Sequence, residues 1–133
     1  MTVLHPQGLV LDAGALREAE SNPRGMVWAL CRRENQAGRQ PLLPSVVLAQ
    51  IWRGGARQAA VASVVKATRI IDVDELMARR VGKLLGVSGT ADVVDAVVAI
   101  VAMDASAAVI TSDPVDIGKL VESVRGDVPL ITV

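Results

Sequence analysis

The sequence predicts an α/β fold built on a mostly parallel sheet. Short apolar runs alternate with longer segments in which apolar residues recur at helical spacing, a pattern typical of strands joined by crossover helices. Hydrophobic residues make up 51% of the 133 residues, which is enough for one packed core and excludes a disordered chain. The sequence has neither an internal repeat nor a low-complexity linker, so we expect a single domain over residues 1–133.

Five segments are predicted to be strands because they are short, apolar and bounded by turn or capping residues. They are residues 8–12, 41–44, 69–73, 107–111 and 128–133. Between them, helical spacing predicts helices over residues 13–20, 24–37, 45–53, 56–66, 74–85, 91–103 and 114–123. We expect Ser45 and Asp74 to cap two of these helices, Gly86 to follow the end of one, and Pro114 to open the last.

Composition limits the classes of function. Fourteen basic residues balance fourteen acidic ones, so net charge gives no support for nucleic-acid binding and any such surface must be local. With two Trp and neither Phe nor Tyr, the chain lacks the aromatic content typical of single-strand binding platforms. The core is therefore expected to be aliphatic.

The sequence is typical of a cytoplasmic protein without a membrane segment. Charges interrupt every apolar run before it reaches the roughly 18 residues needed to cross a bilayer. Residues 1–6 lack the basic start and apolar core of a signal peptide, and His5 is expected to be an exposed tail residue. The single Cys31 has no partner for an internal disulfide and is expected in the core.

Five aspartates occupy positions where charge is costly. Asp12 and Asp113 each end a predicted strand, Asp95 lies in an otherwise apolar helix, and Asp92 and Asp116 lie three residues from Asp95 and Asp113. A carboxylate near a core is unfavourable unless it is paired or bound to a cation. Because ligands bind at the carboxyl ends of parallel strands, we expect the aspartates to converge there on a divalent metal ion.

Each aspartate also has a purely structural interpretation. Asp92 suits a helix N-cap or a favourable first-turn charge, and Asp12 suits a cap for the helix after the first strand. Asp113 before Pro114 is a common turn opener. Asp95 is the hardest to explain in this way, because a solvent-facing helix side would carry more than one polar residue.

Four blocks of sequence together resemble the PIN-domain family, and within it the VapC-type toxins of bacterial toxin–antitoxin pairs. The blocks are Leu9–Ala15, Pro44–Gly54, Asp92–Ala96 and Ile110–Asp113. They occur in the order and spacing of the family and span most of the chain. The resemblance implies a PIN-like three-layer α/β fold, with a five-stranded, mostly parallel sheet and helices on both faces.

The resemblance also implies an endoribonuclease that cleaves transfer or ribosomal RNA with one or two Mg²⁺ or Mn²⁺ ions. Asp12, Asp95 and Asp113 match the first, third and fourth catalytic acids and would be metal ligands. Asp92 and Asp116 match positions that are often acidic and would support the metal. Ser112 matches a small hydroxyl residue that orients metal-bound water.

Gln50 departs from the family pattern, because the second acid of that pattern is normally a Glu. A Gln carbonyl oxygen can ligate a hard cation but adds no negative charge and takes no proton from water. Three explanations remain open: the site tolerates the loss of this acid, the activity is weak, or the Gln was introduced on purpose. A fourth is that Gln50 is an exposed helix residue without a functional role.

The remaining inferences concern partners. Arg53 and Arg57 follow Gln50 on about the same helix face and are candidates for RNA contacts, although ion pairing or solvation would also explain them. The resemblance implies a homodimer and a cognate antitoxin in a groove of helices 24–37 and 45–53. Trp28, Leu30 and Trp52 would line that groove or belong to the core.

Two competing interpretations remain. A response-regulator receiver domain also gathers aspartates at strand ends, but Asp12 has no acidic neighbour and the last strand is not followed by Lys. The second is a PIN-like module that binds RNA or antitoxin without turnover. Gln50 favours it, whereas Asp12, Asp95 and Asp113 oppose it.

Overall fold

The computed structural model describes residues 8–133, so His5 lies outside the described range. All five predicted strands are present in the predicted order, each somewhat shorter than expected. They are β1 (Leu9–Leu11), β2 (Leu42–Pro44), β3 (Arg69–Ile71), β4 (Ala108–Thr111) and β5 (Leu130–Thr132).

All predicted helical segments are also confirmed within the described range. The α-helices are α1 (Ala13–Ser21), α2 (Met26–Gln36), α3 (Ser45–Ile51), α4 (Ala59–Lys66), α5 (Glu75–Ser88), α6 (Val93–Ala105) and α7 (Pro114–Ser123). A 3₁₀ turn over Ala56–Gln58 precedes α4, so the predicted helix over 56–66 consists of two pieces.

Two details of the predicted helix ends are wrong. Ser45 is the first residue of α3 and not its cap, because Pro44 holds the N-cap position in an extended conformation. Gly86 lies inside α5, and the helix ends instead at Gly89, whose φ of 69° is left-handed. A left-handed C-terminal residue favours glycine, so Gly89 was the stronger stop signal. Two other predictions are confirmed: Asp74 is the N-cap of α5, and Pro114 opens α7 as its first residue.

The sheet is entirely parallel and has the strand order β3-β2-β1-β4-β5. The chain builds outward from β1 to β3, then returns to the other side of β1 with β4. This reversal creates a topological switch point between β1 and β4, where the carboxyl ends of the two strands diverge into different connections. The order differs from the 2-1-3-4-5 order of receiver domains, which removes that alternative.

Helices cover both faces of the sheet. On one face, α1 packs against β4 and contacts α2, α3 and α4. On the other face, α6 packs against β1, β2 and β4 and is flanked by α5 and α7. The helix α6 is the most buried of these, because seven consecutive residues from Ala96 to Ala102 are buried. This burial explains why its sequence is apolar on every side and leaves polar positions only at its two ends.

The core is aliphatic, as composition predicted. Val10, Leu11, Val109 and Ile110 from the two central strands are fully buried. Cys31 is buried, and burial, followed by the charge of the nearby Glu34, raises the pKa of its thiol to about 11. The thiol is therefore protonated at neutral pH and acts as a packing group.

In the described part of the chain, each helix by itself is too short or too polar to traverse a bilayer. Only α5 and α6 taken together would have the length and composition, and they are bent by 105° at the break between them.

Gly14 sets the distance between α1 and the end of β4. A Cβ at this position would lie 2.5 Å from Oγ and 2.8 Å from the backbone nitrogen of Ser112. We predict that Gly14→Ala lowers the free energy of unfolding by about 2 kcal/mol, because the backbone must move to relieve the overlap. Urea denaturation followed by circular dichroism measures the change.

Gly82→Ala is the matched control. Gly82 lies within α5, is exposed, and has open space where a Cβ would be added. The same substitution there should raise stability by up to about 1 kcal/mol, because alanine favours the helix. Equal effects of the two substitutions would contradict the proposed close approach at Gly14.

Candidate functional site

Asp12 lies at the switch point, directly after β1 and at the N-cap of α1. Its Oδ1 accepts a hydrogen bond from the Ala13 backbone N–H at 2.8 Å, and its Oδ2 accepts one from the Thr111 hydroxyl at 2.8 Å. The residue is only 5% exposed. These bonds orient the carboxylate, so both the capping interpretation and a ligand role are compatible with its position.

Thr111 joins the ends of the two central strands. It is fully buried at the end of β4, where its hydroxyl donates to Asp12 and accepts from the Asp113 backbone N–H at 2.9 Å. Sequence reasoning missed Thr111. The sequence does show that Thr111 is a polar residue at the end of an apolar strand, just before Ser112 and Asp113. It does not show that Thr111 reaches Asp12, because that contact depends on the pairing of Leu11 with Ile110.

The start of α6 brings two more of the aspartates to this edge. The Asp92 carboxylate accepts a hydrogen bond from the Asp95 backbone N–H at 2.9 Å, so Asp92 is the N-cap of α6. Asp92 is exposed, whereas Asp95 is half-buried. The structural interpretation of Asp92 therefore holds, while Asp95 makes no capping bond with its own side chain among the described residues.

The start of α7 carries the last two. Asp113 occupies the N-cap position, but its side chain makes no capping hydrogen bond, and Pro114 follows at the first helical position. Asp116 lies in the first turn. Both carboxylates are exposed and free to reorient. Ser112 is also exposed and lies over Gly14, beside the first turn of α1.

The strongest electrostatic effect in the site falls on Asp95. Burial, and then the negative charges of Asp92, Asp12, Asp116 and Asp113, raise the pKa of its carboxyl group from 3.8 to about 7. All five predicted acids are therefore close enough to repel one another. Among residues 8–133, the ion pairs are Arg39–Glu34, Arg79–Glu75 and Arg80–Asp104, and none of these pairs includes a carboxylate of the site.

A cleft of about 160 Å³ opens beside these acids. Asp92, Asp95 and Asp116 line it together with Lys119, Leu120 and residues 90–91. Lys119 lies on α7 one turn beyond Asp116, and sequence reasoning missed it. The sequence shows that Lys119 and Asp116 are one helical turn apart. It does not show that this side of α7 faces the cleft.

The aspartates of the site have the ligand chemistry that a hard divalent cation requires, although their side chains do not converge on one point. Carboxylate oxygens are the ligands that Mg²⁺ and Mn²⁺ prefer. Within residues 8–133, three or more acidic, His or Cys side chains do not approach one another closely enough to form a ready metal-binding group. Five like charges repel, so separation is expected until a cation offsets the repulsion.

The other predicted site residues lie on or after α3. Gln50 is exposed in the last turn of α3 and does not line the acidic cleft, although α3 packs against α1 and α6. Arg53 and Arg57 are exposed in the segment that follows. The Arg53 guanidinium donates to the carbonyl oxygens of Ala49 and Trp52, at 3.3 and 2.7 Å.

The structure resembles solved structures that share little sequence with it. FitAcB from Neisseria gonorrhoeae matches with a TM-score of 0.63 at 16% identity, over 93% of this chain and 96% of that chain. A structure of FitAB bound to the IR36 DNA fragment gives the same TM-score, identity and coverage of this chain, and 94% coverage of its own. PAE2754 from Pyrobaculum aerophilum matches with a TM-score of 0.60 at 15% identity, over 92% and 88%.

These likenesses define the class of fold. The chain has the PIN-like three-layer α/β fold, with a five-stranded parallel sheet and helices on both faces. No protein-family model matches the sequence, and no curated protein is significantly similar to it. At this level of identity the shared feature is the fold, so any activity must be argued from the site.

We predict that Thr111→Val lowers the free energy of unfolding by about 1–3 kcal/mol, because it leaves the buried Asp12 oxygen and the Asp113 N–H without their partner. Thr111→Ser keeps the hydroxyl and should lose less, only the contribution of one buried methyl group. Urea denaturation of both variants measures the difference. Similar losses would show that the hydroxyl contributes little.

We predict that Asp95→Asn is more stable than the parent chain at pH 7.5 in EDTA. The folded pKa of about 7 lies above the unfolded value of 3.8, so the contribution of Asp95 to stability is complete below pH 3.8 and is lost as pH rises to about 7. After allowance for solvent screening, the loss is about 1–2 kcal/mol. Thermal unfolding at pH 5 and 7.5 measures it.

The advantage of Asp95→Asn should shrink at pH 5, where the parent carboxyl group is mostly protonated. Asp104→Asn is the control, because Arg80 holds the pKa of Asp104 below its usual value. That substitution should not stabilise the protein at either pH. A pH-independent difference between Asp95→Asn and the parent would contradict the raised pKa.

Proposed function

We propose that this protein is a metal-dependent endoribonuclease that hydrolyses RNA phosphodiester bonds, of the kind that acts as the toxin of a toxin–antitoxin pair. The observation that carries the proposal is the cluster of five aspartates at the switch point of a PIN-like sheet, with a pKa of about 7 at Asp95. A site that accumulates unneutralised charge in this way is suited to binding a cation.

In this proposal Asp12, Asp95 and Asp113 hold Mg²⁺ or Mn²⁺, and Asp92 and Asp116 add negative charge at the rim. The Thr111 hydroxyl and the Ala13 N–H hold Asp12 in one orientation. Asp113 keeps its carboxylate free because its helix uses no side-chain cap. Asp95 must lose its proton to become a ligand, so metal affinity should rise as pH increases towards 7 and above.

A bound Mg²⁺ or Mn²⁺ would supply acidification of a water molecule and stabilisation of negative charge on the phosphate. The residues of the chain would bind the RNA and orient the attacking water. Asp12 offers a fixed oxygen at the end of β1, and the Ser112 hydroxyl beside it can donate to or accept from the attacking water. Lys119, which lines the cleft with Asp92, Asp95 and Asp116, offers a positive charge to a phosphate oxygen.

Gln50 favours one alternative function, an RNA- or antitoxin-binding module without turnover. Its carboxamide brings no charge and cannot accept a proton from water at neutral pH. It is also exposed and is not among the cleft-lining residues. Intact Asp12, Asp95 and Asp113 favour the nuclease, because a module that only binds has no need of uncompensated carboxylates.

A cognate antitoxin and a homodimer are part of the same proposal. The expected groove between residues 24–37 and 45–53 takes a different form, because the Trp28 indole donates to the Ala19 carbonyl and packs α2 on α1. An apolar groove lies instead between α3 and α4, lined by Ser45, Leu48, Ala49, Val65 and Trp52. We propose this α3–α4 groove as the antitoxin surface.

We predict that the purified chain cleaves transfer or ribosomal RNA with Mg²⁺ or Mn²⁺ and loses this activity in EDTA. Asp95→Asn should lower the rate by at least about 100-fold, because it removes a charged ligand. Gel analysis of labelled RNA measures the cleavage. The Asp95→Asn preparation, purified in parallel, also controls for a contaminating nuclease.

The role of Gln50 follows from the same assay. If the parent chain is inactive, Gln50→Glu should produce metal-dependent cleavage, because it restores a fourth acid to the site. Failure of both chains to cleave, together with retained RNA binding, would favour the binding module. Since the similar FitAB structure is bound to a DNA fragment, duplex DNA belongs in the same assays as a competing substrate.

A further inference from the structure

The charges of this neutral chain are unevenly distributed. Between Asn35 and Ile71 there is no Asp or Glu, although the chain has fourteen acidic residues. Five basic residues lie in the same stretch: Arg39, Arg53, Arg57, Lys66 and Arg69. This acid-free segment forms β2, α3, the 3₁₀ turn, α4 and β3, which is one edge of the sheet. Arg39 is paired with Glu34, so four basic residues outside ion pairs remain in this segment, although the net charge of the chain is zero.

A buried carboxamide organises the exposed loop in this segment. Gln58 is 7% exposed, and its Nε2 donates to the Ile51 carbonyl at 2.7 Å. Its Oε1 accepts from the backbone N–H groups of Arg53 at 2.7 Å and Gly54 at 3.0 Å. One side chain thus holds the loop before and after Trp52. The reversal at Gly54 and Gly55, with φ of 75° and 92°, favours glycine.

These bonds hold an exposed tryptophan in place. Trp52 follows α3 as its C-cap, and its N–H donates to the Leu48 carbonyl at 2.8 Å. The Arg53 guanidinium binds the Trp52 carbonyl. The indole nevertheless remains 43% exposed. An exposed aromatic residue on a backbone that is already fixed by hydrogen bonds loses less conformational entropy when it binds a ligand.

We propose that the loop Trp52–Arg57 is a preorganised docking element for single-stranded RNA and that Gln58 is its positioning residue. Trp52 stacks on a base, and Arg57, whose side chain makes no hydrogen bond among the described residues, contacts a phosphate. This inference rests on the proposed function, because it assigns the RNA-binding surface of the same enzyme. Its residues differ from the proposed metal ligands, and none of them lines the acidic cleft.

RNA is favoured over a peptide as the ligand because of the charge. An apolar peptide would use the α3–α4 groove, which Trp52 also lines and whose lining is uncharged, and it gains nothing from the cations of the acid-free segment. Arg39 is paired with Glu34, but the remaining four cations make no ion pair among the described residues and attract a polyanion. Base stacking on an aromatic ring does not depend on sequence and is available to a single tryptophan.

The test measures the affinity of a fluorescein-labelled single-stranded RNA by anisotropy, with Asp95→Asn present in every chain to prevent cleavage. We expect Trp52→Ala to weaken binding by about fivefold or more, from lost stacking. Gln58→Met keeps the side-chain length but cannot clamp the loop, and should weaken binding by about 2- to 10-fold. Arg57→Gln should make the negative slope of log affinity against log salt concentration shallower by about 0.7, because one phosphate contact is lost.

Two control variants test whether the expected effects on RNA affinity arise simply from a less stable protein or from the loss of any positive charge. Thr68→Val removes another buried side-chain hydrogen bond, from Thr68 Oγ1 to the Val65 carbonyl at the far end of α4, and should leave RNA affinity unchanged. Lys83→Gln removes an exposed charge on α5, outside the acid-free segment, and should leave the salt slope unchanged. Acrylamide quenching of tryptophan fluorescence should rise in Gln58→Met and not in Thr68→Val.

The outcomes distinguish this inference from the proposed function. If the Asp95→Asn parent binds RNA while Trp52→Ala and Gln58→Met resemble the Thr68→Val control, the docking loop is wrong and Trp52 belongs to a protein-binding groove. If the parent chain neither cleaves nor binds RNA, the proposed function fails and this inference fails with it.

Discussion

The pairing of β1 with β4 is the contact on which the site depends. The register that aligns Leu11 with Ile110 brings Asp12 against Thr111, and the Thr111 hydroxyl then fixes the start of α7 through the Asp113 N–H. Gly14 permits α1 to approach this junction. Two regions that are far apart in sequence, the β1–α1 and β4–α7 junctions, thus meet through one buried hydroxyl group, which brings Asp12 and Asp113 to the same partner.

Such an arrangement places charge where it destabilises the folded chain. Asp95 is held near the core by the most buried of the described helices, and burial, followed by the neighbouring aspartates, raises the pKa of its carboxyl group to about 7. Unfavourable charge in a stable fold is typical of sites where binding, not folding, offsets the repulsion. If our proposal holds, a divalent cation would convert this destabilising cluster into a ligand set.

The molecule also separates its charges by region. The acids that we propose for metal binding lie at the ends of β1 and β4 and on α6 and α7, whereas the segment from Asn35 to Ile71 is free of acids. A nuclease needs both properties, a negative site for the metal and a positive surface for the substrate. Because α3 packs against α1 and α6, the two regions adjoin in the folded chain.

By itself the sequence determined the number, type and order of the described elements, because each depends on local spacing of apolar residues. It also determined that Asp12, Asp95 and Asp113 are unusual, since an aspartate in or directly after an apolar run is visible locally; in the structure Asp12 is buried, Asp95 is half-buried and Asp113 is exposed. The residues it missed, Thr111, Lys119 and Gln58, act through partners that only folding brings near. Whole-chain counts of charge and aromatic residues concealed the basic segment and the exposed Trp52, because averages carry no position. Only the tertiary structure decided which strands are neighbours, and hydrogen bonds and Coulombic repulsion act over distances that the sequence does not contain.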